Sequence, residues 1–297
     1  MVFDLNMRTF AAISLLGLLF GLLVNHQAMA VTDEFYARED VSAWIVQPTL
    51  LECVLKHPVP EYGEGVFIHE AGEALRFQLN ALRPLPRADQ VIVESKAPPW
   101  AANNELKHLG VTEGVEGGHP VKVNEHLSAS LLAELKRGYL PLLTHEGWVM
   151  GDPLRVVLSS VNFGPAYEQF SACVSELFPA NFRQLERTTV LFDTDKSDIK
   201  SDFMDRLELL VDYMNIDASV NRLYIDGHTD NVGGNGYNWD LSKRRAEAVQ
   251  LYLKGLGLEE DQIIMRYHGE LLPITDNGSS VNRARNRRVT LRLEQDS

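Results

Sequence analysis

The 297-residue chain sets 28 Lys and Arg against 41 Asp and Glu, a formal net charge of −13, and 45% of it is hydrophobic. So acidic a chain is repelled by phosphate backbones, which argues against nucleic acid as a partner. Its length and apolar content suffice for two ordinary domains with cores of their own.

The chain opens with Arg8, an apolar stretch over residues 10–24 and then Ala28-Met29-Ala30. This is the pattern of a signal peptide with a small-x-small cleavage site before Val31. The stretch is short for a membrane span, and no cysteine follows it directly, which closes the lipoprotein route. No other stretch is long and apolar enough to cross a bilayer. Residues 1–30 are therefore expected to direct export, placing the mature chain in the periplasm.

Residues 31–180 read as mostly β with two helices. Leu75-Arg76-Phe77-Gln78-Leu79 alternates as a half-buried strand should. Val91 and Val93, Val121 and Val123, and residues 154–161 mark further strands. A helix is predicted over 126–137, with Leu127, Leu131 and Leu135 on one face, and another over 164–178, with Tyr167, Phe170, Val174 and Leu177 at helical spacing. Cys53 and Cys173 both lie in an exported region and outside any Cys-x-x-Cys motif. They read either as one structural disulfide, closing a loop of about 120 residues, or as two buried thiols packed as small hydrophobes. His69-Glu70-Ala71-Gly72-Glu73 is the first half of a zinc-protease motif without its second histidine, and Gly72 reads instead as a hairpin turn. Trp44, a lone aromatic, reads as core. Pro179-Ala180-Asn181 marks a boundary, leaving 181–297 as a second domain.

In that second part, Asp193-Thr194-Asp195-Lys196-Ser197 opens like a calcium loop. It lacks the required glycine, and Met204 stands where the bidentate Glu belongs, so no metal is expected. Leu223-Tyr224-Ile225 is a short strand that stops at Asp226-Gly227, which puts Thr229 and Asp230 at its carboxyl end. Val232-Gly233-Gly234-Asn235-Gly236 is turn-forming. A helix capped by Asn238 or Asp240 should follow, with Leu241, Ala246, Val249 and Leu253 inward and Arg245 in its first two turns, leaning back towards the loop. An Asp accepts from an ammonium, and an Arg fork grips a carboxylate in two parallel bonds. The pair therefore suits a zwitterion, unless Asp230 and Arg245 simply pair with each other and pin the loop. If they clamp a ligand, replacing either with Ala should cost binding and leave the fold intact.

The full spacing resembles the OmpA-like peptidoglycan-binding domain over roughly residues 183–293: Thr229-Asp230, ten residues, Leu241-Ser242, two residues, Arg245-Ala246, two residues, Val249, and later Asn282-Arg283-Ala284-Arg285-Asn286-Arg287-Arg288-Val289. The resemblance implies a βαβαβ arrangement with helices on one small sheet. It also implies that the diaminopimelate of the stem peptide is held at Thr229, Asp230, Asn238 and Arg245. Leu191-Phe192-Asp193 matches the family's first strand, whose end borders the pocket, and one of Arg287 and Arg288 could add a contact.

The first part resembles the MotY family of flagellar motor accessory proteins. The resemblance rests on Tyr36, Trp44 and Cys53-Val54-Leu55-Lys56-His57-Pro58-Val59-Pro60-Glu61-Tyr62-Gly63. Phe67, Ala71-Gly72, Leu75 and Phe77 follow, and later Leu158-Ser159-Ser160-Val161-Asn162-Phe163, Tyr167 and Cys173. That resemblance implies a β-rich domain with the two cysteines joined. It implies docking on the flagellar basal body, in a ring with a MotX-like partner, to recruit and hold the stator complex. The expected fold class is α+β, a β-rich domain with two helices followed by an OmpA-like domain, in a protein with no enzymatic activity and no cofactor. Two alternatives differ from it: an outer-membrane barrel with a wall-binding tail, and a wall hydrolase with a targeting domain. Residues 31–180 offer few lipid-facing strands for the first and no convincing catalytic set for the second.

Overall fold

The computed structural model describes residues 33–98, 101, 106–148 and 152–296; the expected signal segment lies outside them. By its contacts the chain divides into Met1–Val31 and Thr32–Ser297, and the second unit is the one described here.

Its first half contains β1 (Asp33–Tyr36), β2 (Ile45–Pro48), β3 (Glu52–Val59), β4 (Gly63–Glu70), β5 (Arg76–Ala81), β6 (Val91–Lys96), β7 (Leu106–Thr112) and β8 (Val121–Val123). Helix α1 (Glu125–Lys136), β9 (Leu140–Glu146), β10 (Pro153–Val157) and α2 (Phe163–Ser175) complete it. The strands pair into two five-stranded sheets, ordered β1-β10-β9-β6-β7 and β2-β3-β4-β5-β8. Alternate residues of both sheets meet the inner faces of both helices in one core: Leu55, Phe67, Phe77 and Leu79 from one sheet, Val91, Val93, Leu143 and Val156 from the other, Leu131 and Leu135 from α1, and Phe163 and Phe170 from α2. Asn124 caps α1 by accepting from the Leu127 N–H at 3.0 Å, satisfying one of the helix's free donors.

Trp44 belongs to this core. It stacks on His57 with ring centroids 4.5 Å apart and donates to the Ser159 carbonyl at 2.9 Å. Cys53 and Cys173 form a disulfide, Cα atoms 6.0 Å apart, that staples β3 to α2. Gly72 sits in the β4–β5 turn with φ +66°, a left-handed conformation that glycine adopts at no steric cost. The strand expected over 154–161 stops at Val157 and the helix expected to reach 178 stops at Ser175.

The second half runs α3 (Phe182–Leu185), β11 (Arg187–Leu191), α4 (Met204–Ile216), β12 (Val220–Gly227), α5 (Asn235–Gly255), β13 (Ile263–Tyr267), α6 (Ser280–Asn286) and β14 (Arg288–Gln295). The expected βαβαβ arrangement is present, closed by a short helix and a fourth strand. The sheet order is β11-β14-β12-β13, with β12 and β13 parallel and β14 antiparallel to both its neighbours. Val190, Leu223, Ile225, Val289, Leu291 and Leu293 face α4 and α5 in a second, separate core. The two cores part between Cys173 and Ala180.

Candidate functional site

The site forms where β12 and β11 end and α5 begins. At Gly227 the strand runs so close to α5 that a Cβ would lie 2.1 Å from the Ser242 carbonyl oxygen, so no other residue fits there without moving backbone. The chain beyond is fixed by backbone bonds: His228 N to Arg288 O at 2.9 Å and Thr229 N to Gly269 O at 2.8 Å. Ser242, wholly buried, accepts from Gly269 N at 3.1 Å and donates to the Trp239 carbonyl at 2.7 Å.

Helix α5 starts at Asn235 rather than near Asn238 or Asp240, behind Gly234 as its cap. Its first turn therefore includes Asn235 and Gly236, and Arg245 falls in the third turn, not the first two. The inner stripe holds Asn238, Leu241, Ser242, Arg245, Ala246, Val249 and Leu253. Its polar half builds the site and its apolar half the core.

Arg245 is fully buried. It donates from Nε to the Lys196 carbonyl at 2.8 Å, from Nη1 to that of His228 at 3.0 Å and from Nη2 to that of Asp193 at 3.0 Å. Its guanidinium also lies 5.3 Å from the Phe192 ring centroid, a cation–π contact. Of five N–H groups, one remains on each terminal nitrogen, the number a carboxylate takes in a bidentate pair. Burial pushes the guanidinium down to about 10, with Asp230 holding it up and Arg287 lowering it further, so it stays charged at neutral pH.

Asp230 does not pair with Arg245. Its Oδ1 accepts from Val232 N at 3.1 Å and its Oδ2 from Arg287 Nη1 at 3.0 Å, an ion pair between a buried carboxylate and a partly buried guanidinium. Arg287 donates again from Nε to the Phe192 carbonyl at 3.1 Å. Asp230, Arg245 and Arg287 line one cavity of about 370 Å³ with Thr194, Asp195, Val232, Gly233, Tyr237 and Leu241. The Tyr237 hydroxyl bonds to Asp195, joining the start of α5 to the loop after β11. Two guanidinium groups against two carboxylates leave the cavity near neutral, which suits a zwitterion.

The remaining expected site residues do not line this cavity: Thr229, Asn238 and Asp193 adjoin its lining residues in the chain, and Arg288 lies elsewhere. Asn238 is fully buried, donates from Nδ2 to Glu270 and leaves its Oδ1 without a hydrogen bond. Thr229 is buried with its hydroxyl likewise unpaired. Asp193 contributes its carbonyl to Arg245, while its exposed carboxylate bonds Lys200 at 2.6 Å. Arg288 turns the other way: it donates to the carbonyls of Asn286 and Leu272 at 3.4 and 3.1 Å and lines a second groove.

Sequence reasoning gave no role to Asn286, which is fully buried and fully satisfied. Its Oδ1 accepts from Ile274 N at 3.0 Å and Thr275 N at 3.3 Å. Its Nδ2 donates to the Thr275 carbonyl and to Asn277 Oδ1, both at 2.9 Å. The signal was its place in the arginine-rich motif, where the charges drew attention from the amide.

The two halves correspond to two known domain types. Residues 35–179 match the MotY N-terminal domain and residues 191–287 the OmpA family. The chain thus joins a MotY N-terminal domain to an OmpA-family domain. Among its relatives is the sodium-type flagellar protein MotY of Vibrio parahaemolyticus, 29% identical over 93% of this chain and 96% of that protein. The peptidoglycan-associated lipoprotein of Pseudomonas putida is 38% identical over 35% of this chain and 62% of its own. A solved structure of the peptidoglycan-associated lipoprotein from Burkholderia pseudomallei covers 36% of this chain and 89% of its own, at 28% identity and a TM-score of 0.35.

Proposed function

We propose that this protein is a non-enzymatic periplasmic component of the flagellar motor that docks on the basal body and grips peptidoglycan, so that stator units are recruited and held. Residues 31–180 dock, in a ring with a MotX-like partner, and residues 181–297 bind the wall. The observation that carries the reading is the cavity at Asp230, Arg245 and Arg287. A ligand ammonium would approach the Asp230 carboxylate, and a ligand carboxylate would take the two N–H groups that Arg245 does not give to backbone. Diaminopimelate in a stem peptide presents both groups on one carbon. The domain order supports the motor role, since a stator under torque needs one chain coupled to both motor and wall. Once either end is attached, the other binds at raised effective concentration. No helix among the described residues is long and apolar enough to cross a membrane.

Co-sedimentation with purified peptidoglycan tests the wall half. Asp230→Asn keeps the size of the side chain and removes its charge. It should weaken wall binding by about tenfold or more, the loss of one charge-assisted contact. Parent-like pelleting by a folded Asp230→Asn protein would sink the assignment.

A further inference from the structure

The helices cover one face of the β11-β14-β12-β13 sheet and leave the other open. At the end of that open face lies a groove of about 480 Å³, lined by Arg187, Thr189, Asp226, His228, Arg266, His268, Leu272, Ile274, Arg288 and Thr290. It lies apart from the wall cavity, because Arg287 and Arg288 point to opposite sides. We propose that this groove binds a carboxylate borne next to an apolar group, as at the free C-terminus of a peptide or on an acylated amino acid.

Three features carry the inference. The first is unmatched positive charge in a chain of net charge −13. Arg288 is 6% exposed and its bonds go to carbonyl oxygens alone. The one carboxylate in the groove, Asp226, is taken by Arg266 in a two-bond fork at 2.6 and 2.7 Å and by His268 at 2.8 Å. Arg187 is largely exposed and has an ion-pair contact only with Glu186, at 3.9 Å. It also sits directly across from Arg292, a like-charge pairing that disfavours the sheet. A buried guanidinium that lacks an anion is costly, and a bound anion removes that cost.

The second feature is unused hydrogen-bonding capacity. His228, 5% exposed, stacks on His268 at 4.8 Å and has a buried Nδ1 with no partner. Burial and the neighbouring Arg288 push this imidazole down to about 3, so it is neutral and adds no charge of its own. Thr189 and Thr290 stand opposite one another across β11 and β14. Each has a hydroxyl free to donate into the groove.

The third feature sets the class of anion. Asp226 at the groove disfavours a doubly charged phosphate more than a singly charged carboxylate. Leu272 and Ile274 are 53% and 55% exposed at the rim, a surface that bare phosphate would leave in water and an apolar side chain would cover. The groove shares no lining residue with the wall cavity, although the His228 carbonyl accepts from Arg245, and the inference does not rest on the wall-binding reading.

The probes are N-acetyl-leucine, its uncharged amide and inorganic phosphate, each titrated into the full mature chain and followed by backbone and imidazole NMR shifts. N-acetyl-leucine should shift Thr189, His228 and Thr290. The amide should not, and phosphate should bind more weakly. Arg187→Gln and Thr290→Val, both at accessible positions, should each weaken N-acetyl-leucine by about fivefold. Asp230→Asn should leave it unchanged. The inference is overturned if the amide binds as well as the acid, if phosphate alone shifts these residues, if nothing does, or if neither groove variant alters the affinity.

Discussion

Arg245 holds backbone together as well as lining a cavity, and this alters what its removal should do. Its three bonds join the loop after β11, through Asp193 and Lys196, to the loop after β12, through His228. The Ala variant leaves the Lys196 and His228 carbonyls without donors, since Asp193 keeps the Lys196 N–H, and opens a space under Phe192, whereas Asp230→Asn keeps one acceptor oxygen, for either Val232 or Arg287. Removal of the Arg245 side chain should therefore cost the fold more than neutralising Asp230. Arg245→Ala should lower the unfolding free energy by on the order of 3 kcal/mol or more, because each orphaned buried acceptor costs about 1–3 kcal/mol. Asp230→Asn should cost less, about 1–3 kcal/mol for the one donor left facing the amide nitrogen. Urea titration of the two variants checks this, and equal midpoints would show that the Arg245 bonds contribute little. That Asp230 and Arg245 would share one cavity was legible from their spacing in the motif that resembles the OmpA-like domain. Which of Arg287 and Arg288 meets the cavity was not, since that depends on where β14 begins, and successive residues there face opposite ways.

At the scale of elements, α1 and α2 were readable from their apolar spacing, and β5 from strict alternation. Strands β3 and β4 were not. Runs of buried residues at Cys53, Val54 and Leu55 and at Val66, Phe67 and Ile68 break the alternation, because these strands sit inside a sheet with little open surface. Lys56, Pro58 and two glycines obscure them further. The start of α5 was misplaced because Gly233, Gly234 and Gly236 read as a turn, whereas Gly236 belongs to the first helical turn. The disulfide links two of the least local elements, β3 and α2, across 120 residues of sequence. The entropy of an uncrosslinked loop of that size corresponds to about 4–5 kcal/mol as an upper value. Cys53→Ser and Cys173→Ser should therefore each lower the melting temperature of the first half, and the double variant should be no worse than either single one. A double variant markedly less stable than both singles would mean that the sulfur atoms contribute through packing rather than through the bond.

Across the whole molecule, the two cores are joined by a small set of contacts around the β4–β5 turn. Glu73 accepts from Asn181 at 2.7 Å and Arg183 at 2.6 Å, and Gln184 donates to the Gly72 carbonyl at 3.2 Å. Leu51 and Phe178 pack against the second core, and Phe178 N bonds the Leu50 carbonyl at 2.8 Å. These contacts are few beside the two cores, and most are polar and near the surface, so each half should retain its own sheet and core when separated. Division of labour can thus be tested by cutting between them. Residues 31–180, exported alone in cells lacking the full protein, should gather at flagellar bases and support weak rotation at best, since a docked stator without a wall anchor has fewer fixed points to resist torque. Residues 181–297 alone should pellet with peptidoglycan and spread evenly round the envelope. Fluorescent fusions of each half, with swimming speed measured alongside, separate the outcomes. Flagellar spots from the second half and none from the first would reverse the roles. Parent-like swimming with the first half alone would show that the wall contact bears no load.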